Sequence, residues 1–194
     1  MIGCLVGSEM CIRDRIQVDL HEFFEHYVET YFKLVEAEFR KSLPNHLYLG
    51  CRLYEKTHHN VTVRKFAAKY SDIVSYNIYR YSLKDFNFLR ELEKPVLIGE
   101  FHFGTGSHGV WGTGLRVANS LEQQSRLYEQ FIYEAAKHPS VVGAHWFQWS
   151  DQPATGRFDG ENFRVGFVSI TDQPYQKLIE TARQTSLQIR QWRN

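Results

Sequence analysis

Glu100 is the residue whose type and setting best suit chemistry. It lies in the stretch K-P-V-L-I-G-E-F-H-F-G, from Lys94 to Gly104. The apolar run after Pro95 predicts a short strand that is buried on both faces. A carboxylate at the end of such a strand is costly to bury unless it is paired, hydrogen-bonded or used in a reaction. For G-E-F alone a structural ion pair would be the better interpretation, but the other strand ends favour a reactive group.

The other predicted strands also carry polar or aromatic residues close to where they end. These residues are Arg52, Asn77, Tyr79, His102, Trp146, Gln148 and Trp149. The carboxyl ends of parallel strands meet at one edge of a sheet, and α/β barrels build their active sites there. The pattern therefore predicts one site around Glu100.

Hydrolysis of a glycosidic bond with retention of configuration is the chemistry that this set suits. It needs two carboxyl groups about 5–5.5 Å apart, one as nucleophile and one as acid and base. Glu100 suits the nucleophile, and the hydroxyl group of Tyr79 suits a hydrogen bond that orients it. Sugar rings would stack on Trp146 and Trp149. Sugar hydroxyl groups would bond to the polar side chains of Arg52, Asn77, His102 and Gln148.

A structural role remains open for the tryptophans, since a tryptophan within a strand is more often part of the core. In addition, W-F-Q-W places Trp146 and Gln148 on one face of a strand and Trp149 on the other. The three side chains can share a ligand only if the strand ends there.

The acid/base partner has no convincing candidate in the chain. Glu55, just past the first predicted strand, is the only other acidic residue at a strand end, and we do not expect it in this role. We expect the group to be absent. Asp159 and Glu161, in the D-G-E-N of the last long loop, are equally suited to bonding the backbone of a turn and to contacting substrate.

Composition and spacing argue against several other classes of site. His102, His108 and His145 lack the spacing of a metal site on a helix, so we expect no metal. No G-x-G-x-x-G opens a helix, and we expect no cofactor. The 23 basic and 22 acidic residues leave a net charge of +1, which gives no electrostatic footprint for nucleic acid or an anionic membrane. No apolar run approaches the roughly 20 residues of a membrane-spanning helix.

Hydrophobic periodicity predicts strands that alternate with helices. We expect helices at 18–41, 62–70, 83–92, 121–137 and 175–193. We expect strands at 46–53, 73–79, 141–149 and around Glu100, with long loops at 103–119 and 150–164. This order demands parallel pairing with right-handed crossovers.

The number of repeated units is half that of a complete barrel. Four such units are predicted, whereas a (β/α)8 TIM barrel has eight and takes about 250 residues. We therefore expect an α/β fold that is the C-terminal half of a TIM barrel, with strands five to eight and their helices, over residues 16–194.

The first fifteen residues, M-I-G-C-L-V-G-S-E-M-C-I-R-D-R, resemble a translated sequencing-adaptor tail. We expect residues 1–15 to be a non-native or disordered tail without function, and the native gene to have been cut upstream of Ile16.

Several motifs between about Leu47 and Arg183 are specific together and weak singly. They are Y-L-G-C-R, Y-S-D-I-V-S-Y-N-I-Y, P-V-L-I-G-E-F-H-F-G, H-W-F-Q-W-S-D, T-G-R-F-D-G-E-N, G-F-V and T-D-Q-P-Y. In these motifs the chain resembles the C-terminal part of the catalytic barrel of glycoside hydrolase family 50 β-agarases, which are retaining enzymes.

The resemblance implies that Glu100 is the nucleophile on strand seven and that the acid/base is a Glu after an Asn on strand four. No Asn-Glu pair occurs in this sequence. We therefore expect a fragment that is inactive alone and needs the missing N-terminal half. Its secreted or periplasmic parent would cleave β-1,4-galactosidic bonds of agarose or a related galactan. The alternatives are a retaining hydrolase of another β-galactoside and a non-catalytic carbohydrate-binding barrel protein.

Overall fold

The elements of the chain alternate between helices and strands over most of its length. The computed structural model describes residues 3–106 and 112–193, with side chains from Arg13 onward. The helices are α1 (Gly3–Ser42), α2 (Lys56–His59), α3 (Val61–Tyr70), α4 (Leu121–Lys137) and α5 (Gln176–Arg193). The strands are β1 (Arg52–Leu53), β2 (Val74–Asn77), β3 (Val96–Phe101) and β4 (Val141–Trp146), and a 3-10 turn covers Asn87–Leu89.

The four strands form one sheet in the order β1-β2-β3-β4, and every pair is parallel. This confirms the predicted α/β class with a parallel sheet. The order of the strands in the sheet is also their order along the chain, as successive crossovers of one hand would produce.

Helix α4 occupies the residues that periodicity predicts. Its first turn is capped by Ser120, whose Oγ accepts a hydrogen bond from the backbone N–H of Gln123 at 3.2 Å. Phe131, Ile132 and Ala135 are buried on the face that meets the sheet, and the ring of Phe131 stacks on Phe101 of β3 with 4.3 Å between centroids. This packing fixes β3 against the helix layer.

The prediction of a helix at 83–92 is wrong. Only Asn87–Leu89 form a 3-10 turn there. Asp85 and Asn87 are poor helix-interior residues because their side chains compete for backbone hydrogen bonds. The buried Leu83, Phe86 and Leu89 satisfied the apolar pattern without a helix.

The first strand is also shorter than predicted, at two residues in place of 46–53. Side chains bind the backbone before it: the carboxylate of Asp72 accepts from the N–H of Tyr48 at 2.7 Å, and the hydroxyl of Ser75 donates to the carbonyl of Leu49 at 2.7 Å. Gly50 has a φ of 66°, which lies outside the extended region. The ladder therefore begins only at Arg52.

Helix α1 begins at Gly3, well before the predicted residue 18, so residues 3–15 are helical. The foreign origin of this segment remains a prediction. The helix lies against α3, where Lys69 and Tyr70 donate to Glu29. Val28 and Phe32 are buried, but many apolar side chains of α1 are exposed: Ile16, Val18, Leu20, Phe23, Phe24, Tyr27, Tyr31, Leu34 and Val35. Within the part of the chain that the structure describes, no helix combines the length and apolar character needed to cross a membrane.

Candidate active site

Strand β3 contains one more residue than its neighbours at the point where Glu100 lies. From Ile98 to Phe101 it advances three residues, while the paired segment of β4, Ala144 to Trp146, advances two. Against β2 the same shift appears between Ile98 and Glu100. Ile98 and Phe101 both belong to the hydrophobic core, so Gly99 and Glu100 lie between two core-facing positions. Such an extra residue re-aims a side chain, as is common beside active sites.

Each oxygen of the Glu100 carboxylate accepts one hydrogen bond. Nη1 of Arg52, at the start of β1, lies 2.6 Å from Oε1, and the hydroxyl of Tyr79, just past β2, donates to Oε2 at 2.6 Å. Short hydrogen bonds to an ionised carboxylate are stronger than neutral ones. The structure thus brings together three residues that the sequence placed at one sheet edge.

Gly99 makes room for the side chain of Arg52. A Cβ atom at position 99 would lie 2.9 Å from Cδ and 3.0 Å from Nε of Arg52. Arg52 therefore crosses directly over the backbone of β3 to reach Glu100, and a larger residue at 99 would displace it.

Tyr79 is buried, and its pKa is raised far above the ordinary value. Burial is the main cause, followed by the hydrogen bond to Glu100. The phenol therefore stays neutral and donates a hydrogen bond to the carboxylate throughout the physiological pH range. This is the arrangement expected of a group that orients a nucleophile.

Glu100 opens onto a cavity of about 240 Å³. Its lining residues come from the ends of all four strands, from the segment after residue 112 and from the loop before residue 164: Tyr54, Asn77, Tyr79, Glu100, His102, Leu115, Phe147, Arg157 and Glu161. Of the residues predicted from sequence, Asn77, Tyr79, Glu100, His102 and Glu161 meet here. The Oδ1 atom of Asn77 is buried and has no hydrogen-bond partner among the described residues.

The loop from Arg157 to Glu161 forms one wall of this cavity and is closely bonded to itself. Asp159 accepts from the guanidinium of Arg157 at 2.8 Å and from the N–H of Glu161 at 3.2 Å. Glu161 also accepts from the side-chain amide of Gln152 at 2.8 Å. Asp159 thus serves the turn, one of the two roles that the sequence allowed, and it is not among the residues that line the cavity.

Both ring nitrogens of His102 are engaged by the protein. Nδ1 lies 3.1 Å from the carbonyl oxygen of Phe147, and Nε2 accepts from the N–H of Leu115 at 2.8 Å. Only 1% of the residue is exposed. No ring nitrogen is left for a sugar hydroxyl, so this geometry does not support the predicted substrate contact.

The remaining predicted contacts do not reach the cavity. The indole of Trp146 packs against Phe101 at 5.2 Å and donates to the carbonyl of Val165 at 2.7 Å, so it is a half-buried side chain that packs against the core. Gln148 donates to the carbonyl of Ser150. Trp149 is 71% exposed and packs on Phe167. Strand β4 ends at Trp146, and the predicted alternation through Trp149 therefore does not hold.

Four cavity residues were missed from the sequence, namely Tyr54, Leu115, Phe147 and Arg157. Leu115 and Arg157 lie in segments without regular periodicity, whereas Tyr54 and Phe147 each lie next to a strand end, which was a usable signal. Glu55 does not line the cavity. Across residues 3–106 and 112–193, no three His, Cys, Asp or Glu side chains come together as a metal site. His108, considered as a metal ligand above, lies outside the described residues.

The chain is similar to known β-agarases. No family model matches it. β-Agarase B of Vibrio sp. (strain JT0107) is 46% identical over 171 residues, which cover 85% of this chain and 18% of that protein. The chain thus spans about a fifth of the length of this curated relative.

Solved structures give the same result. An exo-β-agarase structure matches with a TM-score of 0.84 and 43% identity, over 87% of this chain and 23% of that one. The structure of PfGH50B matches with a TM-score of 0.84 and 38% identity, over 91% of this chain and 25% of that one. The parallel α/β sheet therefore corresponds to part of a glycoside hydrolase. The resemblance read from the motifs is confirmed, and the chain is a homologue of the family 50 β-agarases that aligns with a segment of them.

Proposed function

We propose that this chain is the part of a retaining β-agarase barrel that carries strands five to eight, with Glu100 as nucleophile and Tyr79 as the residue that orients it. Its substrate would be agarose or a related galactan, cleaved at β-1,4-galactosidic bonds. The proposal rests mainly on the two 2.6 Å hydrogen bonds that hold the two oxygens of Glu100 at the cavity.

The geometry suits the first half of a double displacement. One carboxylate oxygen of Glu100 would attack the anomeric carbon as the bond to the leaving oxygen breaks, giving a glycosyl ester. Water would then release the sugar with its configuration retained. Tyr79 limits the rotation of the carboxylate, which reduces the entropy lost on reaching the reactive geometry.

Among the described residues that line the cavity, none suits the acid/base function. Glu161 is the only other carboxylate in this set, and its Oε2 lies within reach of two donors, the amide of Gln152 at 2.8 Å and Nη1 of Arg157 at 3.5 Å. These two contacts engage the carboxylate of Glu161 within the protein. We infer that the acid/base comes from residues beyond this chain.

The open edges of the sheet and the exposed apolar side chains of α1 are evidence for a barrel that other residues complete. In the described part of the chain, β1 and β4 each pair on one side alone, and parallel sheets rarely leave such edges open. The exposed side chains of α1 include Phe23, Tyr27 and Leu34, at 66%, 64% and 59%. A contiguous apolar surface of this kind marks a contact with other protein.

An activated inhibitor can test the nucleophile without the missing acid. In 2,4-dinitrophenyl 2-deoxy-2-fluoro-β-galactoside the leaving group departs unprotonated, and the fluorine slows hydrolysis of the ester. We expect mass spectrometry to find one fluorogalactosyl group on the peptide that contains Glu100. Glu100→Gln should remain unlabelled, and Glu55→Gln should label like the unchanged chain.

Two other outcomes would contradict the proposal. Labelling at another carboxylate would assign the nucleophile elsewhere. Binding of agarose oligosaccharides with no labelling at all would support a non-catalytic carbohydrate-binding protein.

Agarose itself should not be hydrolysed by the 194-residue chain, because one carboxylate cannot supply both roles. Fusion behind the corresponding preceding half of β-agarase B should give hydrolysis, measured as reducing ends, and Glu100→Gln in the fusion should abolish it. Hydrolysis by the chain alone would mean that Glu161 or Glu55 acts as the acid.

A further inference from the structure

We propose that His102 is a positioning residue: as a neutral imidazole protonated on Nδ1, it holds Leu115 in the cavity wall and supports the ring of Tyr79, without contacting the sugar. This inference rests on the proposed roles of Glu100 and Tyr79. It assigns His102 a function different from the hydroxyl contact that the sequence suggested.

The two partners of the ring determine where its proton lies. The carbonyl oxygen of Phe147 only accepts, so Nδ1, at 3.1 Å, carries the hydrogen. The N–H of Leu115 only donates, so Nε2, at 2.8 Å, carries a lone pair. Both bonds exist together only in the neutral Nδ1–H tautomer. The ring therefore joins the end of β4 to the segment that contains Leu115.

The surroundings of His102 favour this neutral form. Its pKa is lowered to about 4, chiefly by burial; the hydrogen bond to Phe147 opposes this change, and the charge of Arg116 contributes a smaller part of the lowering. Protonation would also remove the acceptor for Leu115. The other titratable or charged groups that share the cavity are Tyr54, Tyr79, Glu100, Arg157 and Glu161.

The ring of His102 also supports the residue that orients Glu100. Its centroid lies 4.6 Å from that of Tyr79, with 56° between the planes. Tyr79 in turn donates to Glu100 at 2.6 Å. A shift of the imidazole would therefore move the phenol, and misplacement of a reacting group by about 1 Å can cost roughly 100-fold in rate.

Gly114 keeps the space that this arrangement needs. Its φ is 73°, and a Cβ atom there would lie 2.6 Å from Nε2 of His102. An alanine would strain the backbone and push on the imidazole. Gly114→Ala thus disturbs the same contact from the other side without changing the histidine.

Three variants separate the ring nitrogens from the packing. His102→Phe keeps an aromatic ring and removes both hydrogen bonds. His102→Gln places an acceptor close to the position of Nε2, which can still receive the N–H of Leu115. Gly114→Ala keeps the histidine and displaces it.

The kinetics of labelling by the activated fluorogalactoside test the proposal on the full chain. For His102→Phe we expect the limiting rate to fall about 10- to 100-fold, with the half-saturating concentration unchanged within about twofold. His102→Gln should recover most of the rate, and Gly114→Ala should lose it. Thermal unfolding measured in parallel identifies any variant that is not folded at the assay temperature.

Nitrogen-15 NMR of the histidine side chains provides the second measurement. At pH 7 we expect His102 to carry hydrogen on Nδ1 and none on Nε2. In His102→Phe, the amide resonance of Leu115 and the ring resonances of Tyr79 should shift.

Each of three results would overturn the proposal: a proton on Nε2, an unchanged limiting rate in folded His102→Phe, or a raised half-saturating concentration with unchanged rate, which indicates a sugar contact. Failure of the unchanged chain to label refutes the proposed function instead. The NMR measurement then decides whether His102 holds Leu115 and Tyr79.

Discussion

At the scale of single residues, the two donors to Glu100 differ in how firmly they are held. Tyr79 is 7% exposed and packs against His102 and Tyr54, so its hydroxyl has little freedom. The side chain of Arg52 is 51% exposed, and exposed ion pairs contribute only about 0.2–1 kcal/mol. Tyr79 should therefore dominate the orientation of the carboxylate.

Tyr79→Phe tests this ranking. A hydrogen bond to a charged group contributes about 1.5–3 kcal/mol, so we expect labelling of Glu100 to slow roughly 10- to 100-fold when the hydroxyl is removed. The matched control is Tyr81→Phe, which removes a hydroxyl that donates to the carbonyl of Val117. Equal labelling rates for Tyr79→Phe and the unchanged chain would rule out the orienting role.

Residue chemistry made part of this site predictable. Glu100 and Tyr79 follow apolar strand runs, and a polar group there has few roles. Arg157 could not be found in this way, since its place in the cavity wall depends on bonds to Asp159 and Glu161 within a loop. The end of β4 at Trp146 could not be predicted, because W-F-Q-W gives no sign of it.

At the scale of elements, β3 combines a core face with a reactive face through its extra residue. Strict alternation would put Ile98 and Glu100 on one side, but Phe101, not Glu100, follows Ile98 into the core. The sequence contains no sign of this extra residue. Gly99 has no side chain, so its position gives no hydrophobic or polar signal for one face of the strand. Helix α4 was predictable to the residue, since its cap and its apolar period agree.

Gly99→Ala tests the space over β3. The new methyl group would displace Arg52 from Glu100 and leave Tyr79 bonded, so we expect labelling to slow only about 2- to 5-fold, in line with an exposed pair. The matched control is Gly143→Ala on β4, whose Cβ meets the flexible end of Leu97. A loss as large as that of Tyr79→Phe would mean that Arg52 matters more than its exposure suggests.

At the scale of the whole molecule, buried neutral histidines link folding to pH. His58 and His102 are 2% and 1% exposed, and burial lowers the pKa of each to about 4. In the unfolded chain they titrate near their ordinary value of 6.5. Between these values the unfolded state binds more protons, so stability is complete above about pH 6.5 and is lost as the pH falls towards 4.

Urea unfolding at pH 7.5, 6, 5 and 4.5 measures this effect. We expect the free energy of unfolding to fall with a slope of up to about 1.4 kcal/mol per pH unit for each buried histidine. His102→Phe should reduce the slope, and His46→Gln, at an exposed position, should not. The lowered pKa values of Asp72 and Glu29 affect stability only below their ordinary values of 3.8 and 4.5. A flat profile from pH 7.5 to 5 would contradict the prediction.

The parallel sheet was predictable at this scale because strands and helices alternate along the chain. The exposure of the apolar face of α1 was not, since periodicity identifies an apolar face without identifying what covers it. Val28 and Phe32 of α1 are buried against the rest of the described chain, whereas Phe23 and Tyr27 are exposed.

The passage of Arg52 over Gly99 has a consequence for sequence drift among homologues. With 2.9 Å between Cδ of Arg52 and the site of any Cβ at position 99, neither residue can change freely while the other stays. A side chain at position 99 displaces Arg52 from Glu100 unless position 52 has first become shorter, so either order of changes passes through an intermediate that lacks one donor to Glu100. Positions 52 and 99, which lie on strands separated by β2, should therefore co-vary among homologues.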